Sequence, residues 1–143
     1  MKRLVCDTNV LLSGLLWRGP PRRLLAEVES GRFSLFTSRD LLEELARVLG
    51  YPRMRKPLRE AGLVEGDILR WMVGRATLVV PKPLGAIAVA EDPSDDAVLA
   101  CAASAAVDAV VSGDAHLLAL KAFHGIPVVS ASDFMRSHAL HGR

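Results

Sequence analysis

Residues 4–12 read LVCDTNVLL, a short apolar run interrupted by an acid and two polar residues. The run is too brief for a helix, and it indicates a strand that is buried on both faces and ends at Asp7. In an open parallel sheet, ligands bind outside the carboxyl ends of the strands, so an acid there is expected to face a binding crevice. The alternative is that Asp7 caps the turn after the strand, with Thr8 and Asn9 as ordinary turn residues.

Length and composition predict a single domain over residues 1–143. Half of the 143 residues are hydrophobic and the mean hydropathy is +0.26, which is enough apolar material for one core. Asp7 interrupts the N-terminal apolar run, which argues against a signal peptide, and no apolar stretch reaches membrane length. We therefore expect a cytoplasmic protein without membrane association. Cys6 and Cys101 are expected to be buried thiols, since two cysteines provide neither a disulfide framework nor a zinc site.

The charge of the chain is unevenly distributed. Residues 1–82 hold 15 of the 18 Lys and Arg residues against 9 acids, whereas residues 83–143 hold 3 against 7. A basic surface beside acidic side chains suits a protein that holds a phosphodiester backbone; a solubilising arginine surface is the alternative. The cations Arg53, Arg55 and Lys56 lie in a predicted basic loop over residues 51–59, which is either a substrate contact or a solvated connector.

Strand patterns alternate with helix patterns along the whole chain, which predicts a parallel sheet with helices on both faces. Strands are expected at residues 4–6, 33–36, 77–80, 109–111 and 127–129. Helices are expected at residues 11–17, 22–30, 39–50, 57–61, 65–76, from 93 onward, at 115–121 and from Ser132 or Asp133 onward, with a loop over residues 81–91.

The helix over residues 39–50 carries a pair of acids. Ser38 is a suitable N-cap for this helix. At about 100° per residue, Glu44 falls beside Leu41 and Val48 at the edge of the apolar face, whereas Glu43 falls nearer the back. We therefore expect Glu44, rather than Glu43, to look into a cleft.

The stretch DPSDDAVLACA over residues 92–102 carries a second pair of acids. Asp92 suits an N-cap, with Pro93 at the first helical position and Asp95 three residues after the cap. Asp95 therefore has a structural role available, and Asp96 follows it.

A second strand-end acid, Asp114, follows Ser112 and Gly113 after the strand over residues 109–111. It repeats the pattern of Asp7, with the role of helix N-cap as the alternative. His116 is near enough in sequence to Asp114 to touch a substrate.

Together these acids predict a cation site. The predicted topology can bring four oxygen donors to one crevice: Asp7, Asp114, the acid on the helix over residues 39–50 and the acid on the 92–102 segment. Carboxylates that lie this close repel one another unless a cation is bound between them. Mg²⁺ and Mn²⁺ prefer oxygen ligands and assist phosphoryl displacement. The sequence has no zinc-type Cys or His cluster, P-loop, dinucleotide-binding glycine motif or Ser-His-Asp arrangement.

The segments DTNVL, LLEEL, DPSDDAVLACA and SGDAHLL, in this order, resemble the PIN domain, and specifically the small PIN proteins described as toxin components of toxin-antitoxin systems. The resemblance covers essentially the whole chain. It implies a three-layer, Rossmann-like or flavodoxin-like α/β fold and a ribonuclease dependent on Mg²⁺ or Mn²⁺. It also implies an RNA substrate, a cognate antitoxin protein and a homodimer or higher homo-oligomer.

The resemblance also implies site residues. It places the catalytic and metal-binding acids at Asp7, Glu44, Asp96 and Asp114. Asn9 and Ser112 fall on the polar positions beside the metal, where family members commonly have Thr in place of Ser112, and Thr8 and Asp95 are supporting residues. The doubled acids Glu43/Glu44 and Asp95/Asp96 leave two registers open. Arg53, Arg55 and Lys56 are the predicted RNA contacts.

Two alternatives are open from the sequence. A haloacid-dehalogenase-like phosphatase also begins with a strand-end aspartate, although its chemistry requires a second aspartate where Asn9 stands. A non-catalytic regulatory or interaction module would bind metal in the same acidic crevice without turnover of RNA.

Overall fold

A computed structural model describes residues 2–83 and 93–139 of the chain. Within these residues the strands are β1 (Lys2–Cys6), β2 (Phe33–Ser38), β3 (Ala76–Val79), β4 (Ala109–Val111), β5 (Ala122–Phe123) and β6 (Ile126–Val129). They form one sheet in the order β3-β2-β1-β4-β6-β5. Neighbouring strands are parallel except for β5 and β6, which are antiparallel.

The strand order reverses beside β1. Leu4 of β1 is in register with Leu35 of β2 on one side and with Ala109 of β4 on the other. A reversal of this kind opens a crevice at the carboxyl ends of the two strands that flank it. Asp7 follows β1 and Ser112 follows β4, so the topology brings them to the same edge.

Helices cover both faces of the sheet, which confirms the predicted three-layer α/β fold. They are α1 (Thr8–Leu16), α2 (Pro20–Glu29), α3 (Arg39–Leu49), α4 (Arg55–Ala61), α5 (Glu65–Arg75), α6 (Pro93–Ala105), α7 (Ala115–Ala119) and α8 (Ala131–Ala139), with a 3₁₀ turn over Pro52–Met54. In the described residues, no helix is long and apolar enough to cross a membrane.

The alternation of side chains along β1 divides the core into two. Leu4 and Cys6 pack in the core that α1, α2, α5 and α8 cover, while Val5 packs in the core that α6 and α7 cover. Both faces of β1 are therefore buried, as expected for a central parallel strand. Cys6 and Cys101 are buried free thiols, as predicted. Burial raises the pKa of the Cys101 thiol to about 12.

Local signals set several helix starts. The Ser38 hydroxyl accepts a hydrogen bond from the Leu41 N–H at 3.3 Å and caps α3, as predicted. Asp7 caps α1, which begins at Thr8 instead of the predicted residue 11 because this cap satisfies its first turn. Ser130 caps α8 by accepting the Asp133 N–H at 3.1 Å, so the prediction that this helix starts at residue 132 or 133 is wrong by one or two residues.

The structure differs from the predictions at three further places. Residues 51–59 are largely helical, because the buried Met54 side chain anchors the 3₁₀ turn and α4 continues directly from it. Strand β5 was not predicted; it pairs with β6 across a tight turn in which His124 (φ 51°) and Gly125 (φ 78°) are both left-handed. Helix α7 ends at Ala119, two residues before the predicted end. The predicted cap Asp92 and most of the 81–91 loop lie outside the described residues.

Candidate functional site

Asp7 is fixed by hydrogen bonds from two directions. Its Oδ1 accepts the Val10 N–H at 2.9 Å, which is the cap of α1. Its Oδ2 accepts the Ser112 hydroxyl and, at 3.3 Å, the Gly113 N–H. The side chain is 7 % exposed. The capping role and the crevice position are therefore both realised, and the carboxylate is held between the start of α1 and the end of β4.

The environment of Asp7 raises the pKa of its carboxyl group. Burial is the largest cause, because it disfavours the charged form. The hydrogen bonds from Ser112, Val10 and Gly113 oppose burial by favouring the charged form, and the nearby charge of Asp114 adds to the rise. A cation that binds beside two neighbouring buried carboxylates stabilises their ionised forms.

Asp114 is both an N-cap and a neighbour of Asp7. Its Oδ1 accepts the N–H groups of His116 at 2.8 Å and Leu117 at 3.1 Å, which caps α7. Its own N–H donates to the Ser112 hydroxyl at 2.9 Å. Ser112 therefore links Asp7 to the backbone of Asp114, and Asp114 Oδ2 accepts neither capping bond.

Glu44 faces the same cleft from α3. Its Oε2 accepts the hydroxyl of Thr8 at 2.6 Å, and its Oε1 lies 3.9 Å from Arg47 Nη2. Glu43 instead lies on the exposed side of α3, where it pairs with Arg39 at 3.3 Å. The structure thus places Glu44, and not its neighbour, in the cleft, as the helical spacing predicts.

The acid pair at the start of α6 divides differently from the prediction. Asp95 is buried and lines the cleft, and it interacts with other groups of the chain. Asp96 is half-buried, and its Oδ1 is shielded from solvent with no hydrogen-bond partner in the described part of the chain. Both acids follow Pro93 within the first turn of α6, so one helix terminus brings both to this end of the sheet.

These side chains enclose a cleft of about 200 Å³ at the carboxyl ends of β1 and β4. Val48 and Val98 supply apolar walls. The polar side chains that line it are Asp7, Thr8, Asn9, Glu44, Arg53, Asp95 and Asp114. Two of the predicted acidic and polar residues are not in this lining: Ser112, which lies behind Asp7, and Asp96, whose place in the lining is taken by Asp95. The cleft is therefore strongly acidic, with oxygen as its dominant donor atom.

The predicted basic set is not brought together. Arg53 lines the acidic cleft, with its guanidinium 5.4 Å from the centre of the Tyr51 ring. Arg55 lines a separate groove between α4 and α5, and Lys56 lies 4.0 Å from Glu60 on the exposed side of α4. Tyr51 is exposed and does not line the cleft.

The described residues do not form a preformed metal cage. Among residues 2–83 and 93–139, no group of three or more His, Cys, Asp or Glu side chains has the geometry to hold a metal ion. Asp7, Glu44, Asp95 and Asp114 nevertheless line one cavity, and their oxygen chemistry is that of a site for hard cations.

Residues 3–116 match a family model described as PIN domain. The match begins in β1 and ends in α7, so it includes every acid of the cleft. No curated protein matches the chain.

Proposed function

The chain belongs to the PIN domain family, and from this membership we propose that it is a metal-dependent endoribonuclease that hydrolyses RNA phosphodiester bonds. PIN domains have a nuclease-type fold, and they generally use divalent metal ions. The observation that carries the proposal is the convergence of Asp7, Glu44, Asp95 and Asp114 on one cleft at the strand-order reversal. The proposed unit is a single domain over residues 1–143.

The donor set fits a divalent cation of the Mg²⁺ or Mn²⁺ type. Every acidic ligand candidate offers carboxylate oxygen, which these ions prefer. Asp96 Oδ1 is a buried oxygen without a hydrogen-bond partner in the described residues, and a cation would satisfy it. We assign Asp7, Glu44, Asp96 and Asp114 as the residues that would hold the ion, with Asp95 as a supporting wall of the cleft.

When bound, Mg²⁺ or Mn²⁺ supplies Lewis-acid chemistry, since it neutralises phosphate charge and makes a water molecule more acidic. The protein supplies the orientation. Ser112 and Gly113 donate hydrogen bonds that favour the ionised form of Asp7 against the effect of burial. Thr8 holds Glu44 in the cleft. Asn9 is exposed at the rim and can donate its amide to a phosphate oxygen.

Nothing in residues 2–83 and 93–139 favours the phosphatase alternative. That chemistry requires an acid at the position of Asn9, and the family match is to a nuclease family. The metal-binding module without catalysis differs from the nuclease in turnover, so a cleavage assay separates the two.

A labelled single-stranded RNA incubated with the protein tests the proposal. We expect cleavage with Mg²⁺ or Mn²⁺ and none in EDTA. Asp7→Asn should lower the rate by orders of magnitude, while Asp40→Asn, an exposed acid on α3, should leave it unchanged. Metal binding without cleavage would favour the non-catalytic module, and hydrolysis of a small phosphomonoester would favour the phosphatase.

We extend the proposal to the biological context of the small PIN proteins that the sequence resembles. The protein then acts as the toxin of a toxin-antitoxin pair, is held inactive by a cognate antitoxin protein, and forms a homodimer or higher homo-oligomer. Induced expression in a bacterial host should arrest growth for the wild type and not for Asp7→Asn. Sedimentation equilibrium gives the oligomeric state, and a monomer at micromolar concentration would contradict the proposed homo-oligomer.

A further inference from the structure

Arg53 stands out in the cleft because its charge is opposite to that of its surroundings. Building on the proposed function, we propose that Arg53 contacts the scissile phosphodiester of the substrate and that Tyr51 positions its guanidinium. Arg53 thus acts at the reacting group, and the rest of the basic segment does not.

The charge of Arg53 is not neutralised by an acid of the described residues. Of the described residues that line the cleft, Arg53 is the one with a cationic side chain. It takes part in no ion pair within residues 2–83 and 93–139, although acids line the same cavity. Its contact is with the face of the Tyr51 ring, at 5.4 Å from the guanidinium carbon to the ring centre. This contact orients the guanidinium without neutralising it.

The backbone under Arg53 is firmly held. The Tyr51 N–H donates to the Val48 carbonyl at 3.0 Å, and the Met54 N–H donates to the Tyr51 carbonyl at 2.9 Å. Pro52 restricts the turn between them. The Met54 side chain is 4 % exposed and lies in the core. The 3₁₀ turn is thus fixed at both ends, and its Arg53 lines the same cleft as Val48 and Glu44.

A cationic side chain suits the chemistry of the cleft. An acidic cavity repels the phosphate backbone of RNA, and phosphodiester hydrolysis concentrates further negative charge on the phosphoryl oxygens. The planar guanidinium donates two parallel hydrogen bonds to such oxygens. A donor fixed in advance at developing charge contributes more than one that must reorganise, and removal of such a donor typically costs about 10²–10³ in rate.

Arg55 and Lys56 are differently placed. Arg55 lines the groove between α4 and α5, and Lys56 is near Glu60. Their charges add to the general field of the basic half of the chain, whereas Arg53, although exposed, lines the cleft. The expected effects of removing them therefore differ in kind from the effect of removing Arg53.

The first test measures binding without metal. A fluorescent single-stranded RNA is titrated in EDTA at several salt concentrations with the wild type, Arg53→Ala and the matched control Arg59→Ala, an exposed arginine on α4. One lost phosphate contact lowers the slope of log affinity against log salt by about 0.7 for a single strand. We expect this change for Arg53→Ala and an unchanged slope for Arg59→Ala.

The second test measures cleavage with Mn²⁺. Arg53→Ala should lower kcat/KM by about 100-fold. Arg53→Lys should restore the salt slope and leave kcat low, because an ammonium group provides charge without the fork. Tyr51→Phe should behave as the wild type and Tyr51→Ala should lower kcat, because a positioning role requires the ring and not the hydroxyl.

The outcomes distinguish the two proposals. If the wild type does not cleave RNA with either cation, the proposed function fails, and the salt slopes in EDTA still decide whether Arg53 contacts phosphate. If the wild type cleaves RNA and Arg53→Ala matches it in slope and kcat, the role of Arg53 is overturned while the nuclease stands. Equal losses in Arg53→Ala and Arg59→Ala would likewise overturn it, since they indicate only a general basic field.

Discussion

Replacement of Ser112 by alanine should affect both stability and pH dependence. Ser112 has 0 % exposure. Its hydroxyl donates to Asp7 Oδ2 and accepts the Asp114 N–H at 2.9 Å. Alanine removes one oxygen atom, so the change creates almost no cavity and chiefly deletes these two hydrogen bonds. After the change, Asp7 Oδ2 keeps the longer bond from the Gly113 N–H at 3.3 Å.

The expected loss of stability follows from the charge of the acceptor. A hydrogen bond to a charged group contributes about 1.5–3 kcal/mol to the free energy of unfolding. For a chain of 143 residues, each kcal/mol corresponds to about 3 °C in Tm, so we expect a decrease of about 5–10 °C. The exposed Ser137→Ala on α8 is the matched control and should leave Tm unchanged.

The pH dependence has a definite sign. The Ser112 hydroxyl lowers the pKa of Asp7 because it stabilises the ionised form, so Ser112→Ala should raise a pKa that burial already raises. The stability contributed by this hydrogen bond is full when Asp7 is ionised and is lost as the pH falls through the folded-state pKa values of the two proteins. The difference in Tm between wild type and Ser112→Ala should therefore be large at neutral pH and should shrink on acidification.

Thermal melts in EDTA from acidic to neutral pH measure both effects. Ser112→Thr keeps the hydroxyl, so its Tm can fall through crowding while the pH dependence stays that of the wild type. A Ser112→Ala protein with the wild-type Tm, or with a deficit that is constant over pH, would refute the assignment of this hydrogen bond to the Asp7 carboxylate.

Three further comparisons test the acids. Asp114→Asn should melt higher than the wild type in EDTA, because asparagine keeps the cap of α7 and removes a charge beside the buried carboxylate. Mn²⁺ should stabilise this variant less than the wild type, whose free energy of unfolding rises by about 2.7 kcal/mol at a hundredfold excess over Kd. Equal stabilisation of both proteins would show that Asp114 holds no metal. Glu44→Gln should lower RNA cleavage by about 10–100-fold, while Glu43→Gln, exposed on the same helix, should not; a reversed order in the cleavage assay would place the site on the other face of α3. Asp96→Asn should reduce cleavage more than Asp95→Asn, because the buried Oδ1 of Asp96 has no partner in the described residues; the opposite ranking would make Asp95 the ligand.

Local signals were sufficient for much of the fold and part of the site. The end of β1 at an acid, the cap at Ser38 and the cap at Asp114 are each decided by a few neighbouring residues, and the structure has all three. The side of α3 that carries Glu44 follows from helical periodicity alone. The parallel direction of the strands follows from the alternation of elements. The strand order does not follow from it, and the reversal of that order beside β1 explains why the strand-end acids meet.

Features that depend on distant contacts were not predictable in the same way. Strand β5 has two residues, and it exists because Ala122 and Phe123 pair with β6 across the turn at His124. The turn pattern His-Gly was visible, but a strand this short has no periodicity. Arg53 belonged to a basic segment whose members looked alike in sequence; the anchoring of Met54 in the core separates it from them.

The pairing of β1 with β4 also determines when the cleft can exist during synthesis. Asp7 and its hydrogen-bond partner Ser112 are 105 residues apart. At about 5–20 residues per second, a ribosome needs roughly 5–20 s to make the second half of the cleft after the first. During that interval the growing chain carries Asp7 without the strand that completes its surroundings. Chains that end before β4 therefore lack both Ser112, which holds Asp7, and Asp114, and the cleft is complete only when nearly the whole chain has been made.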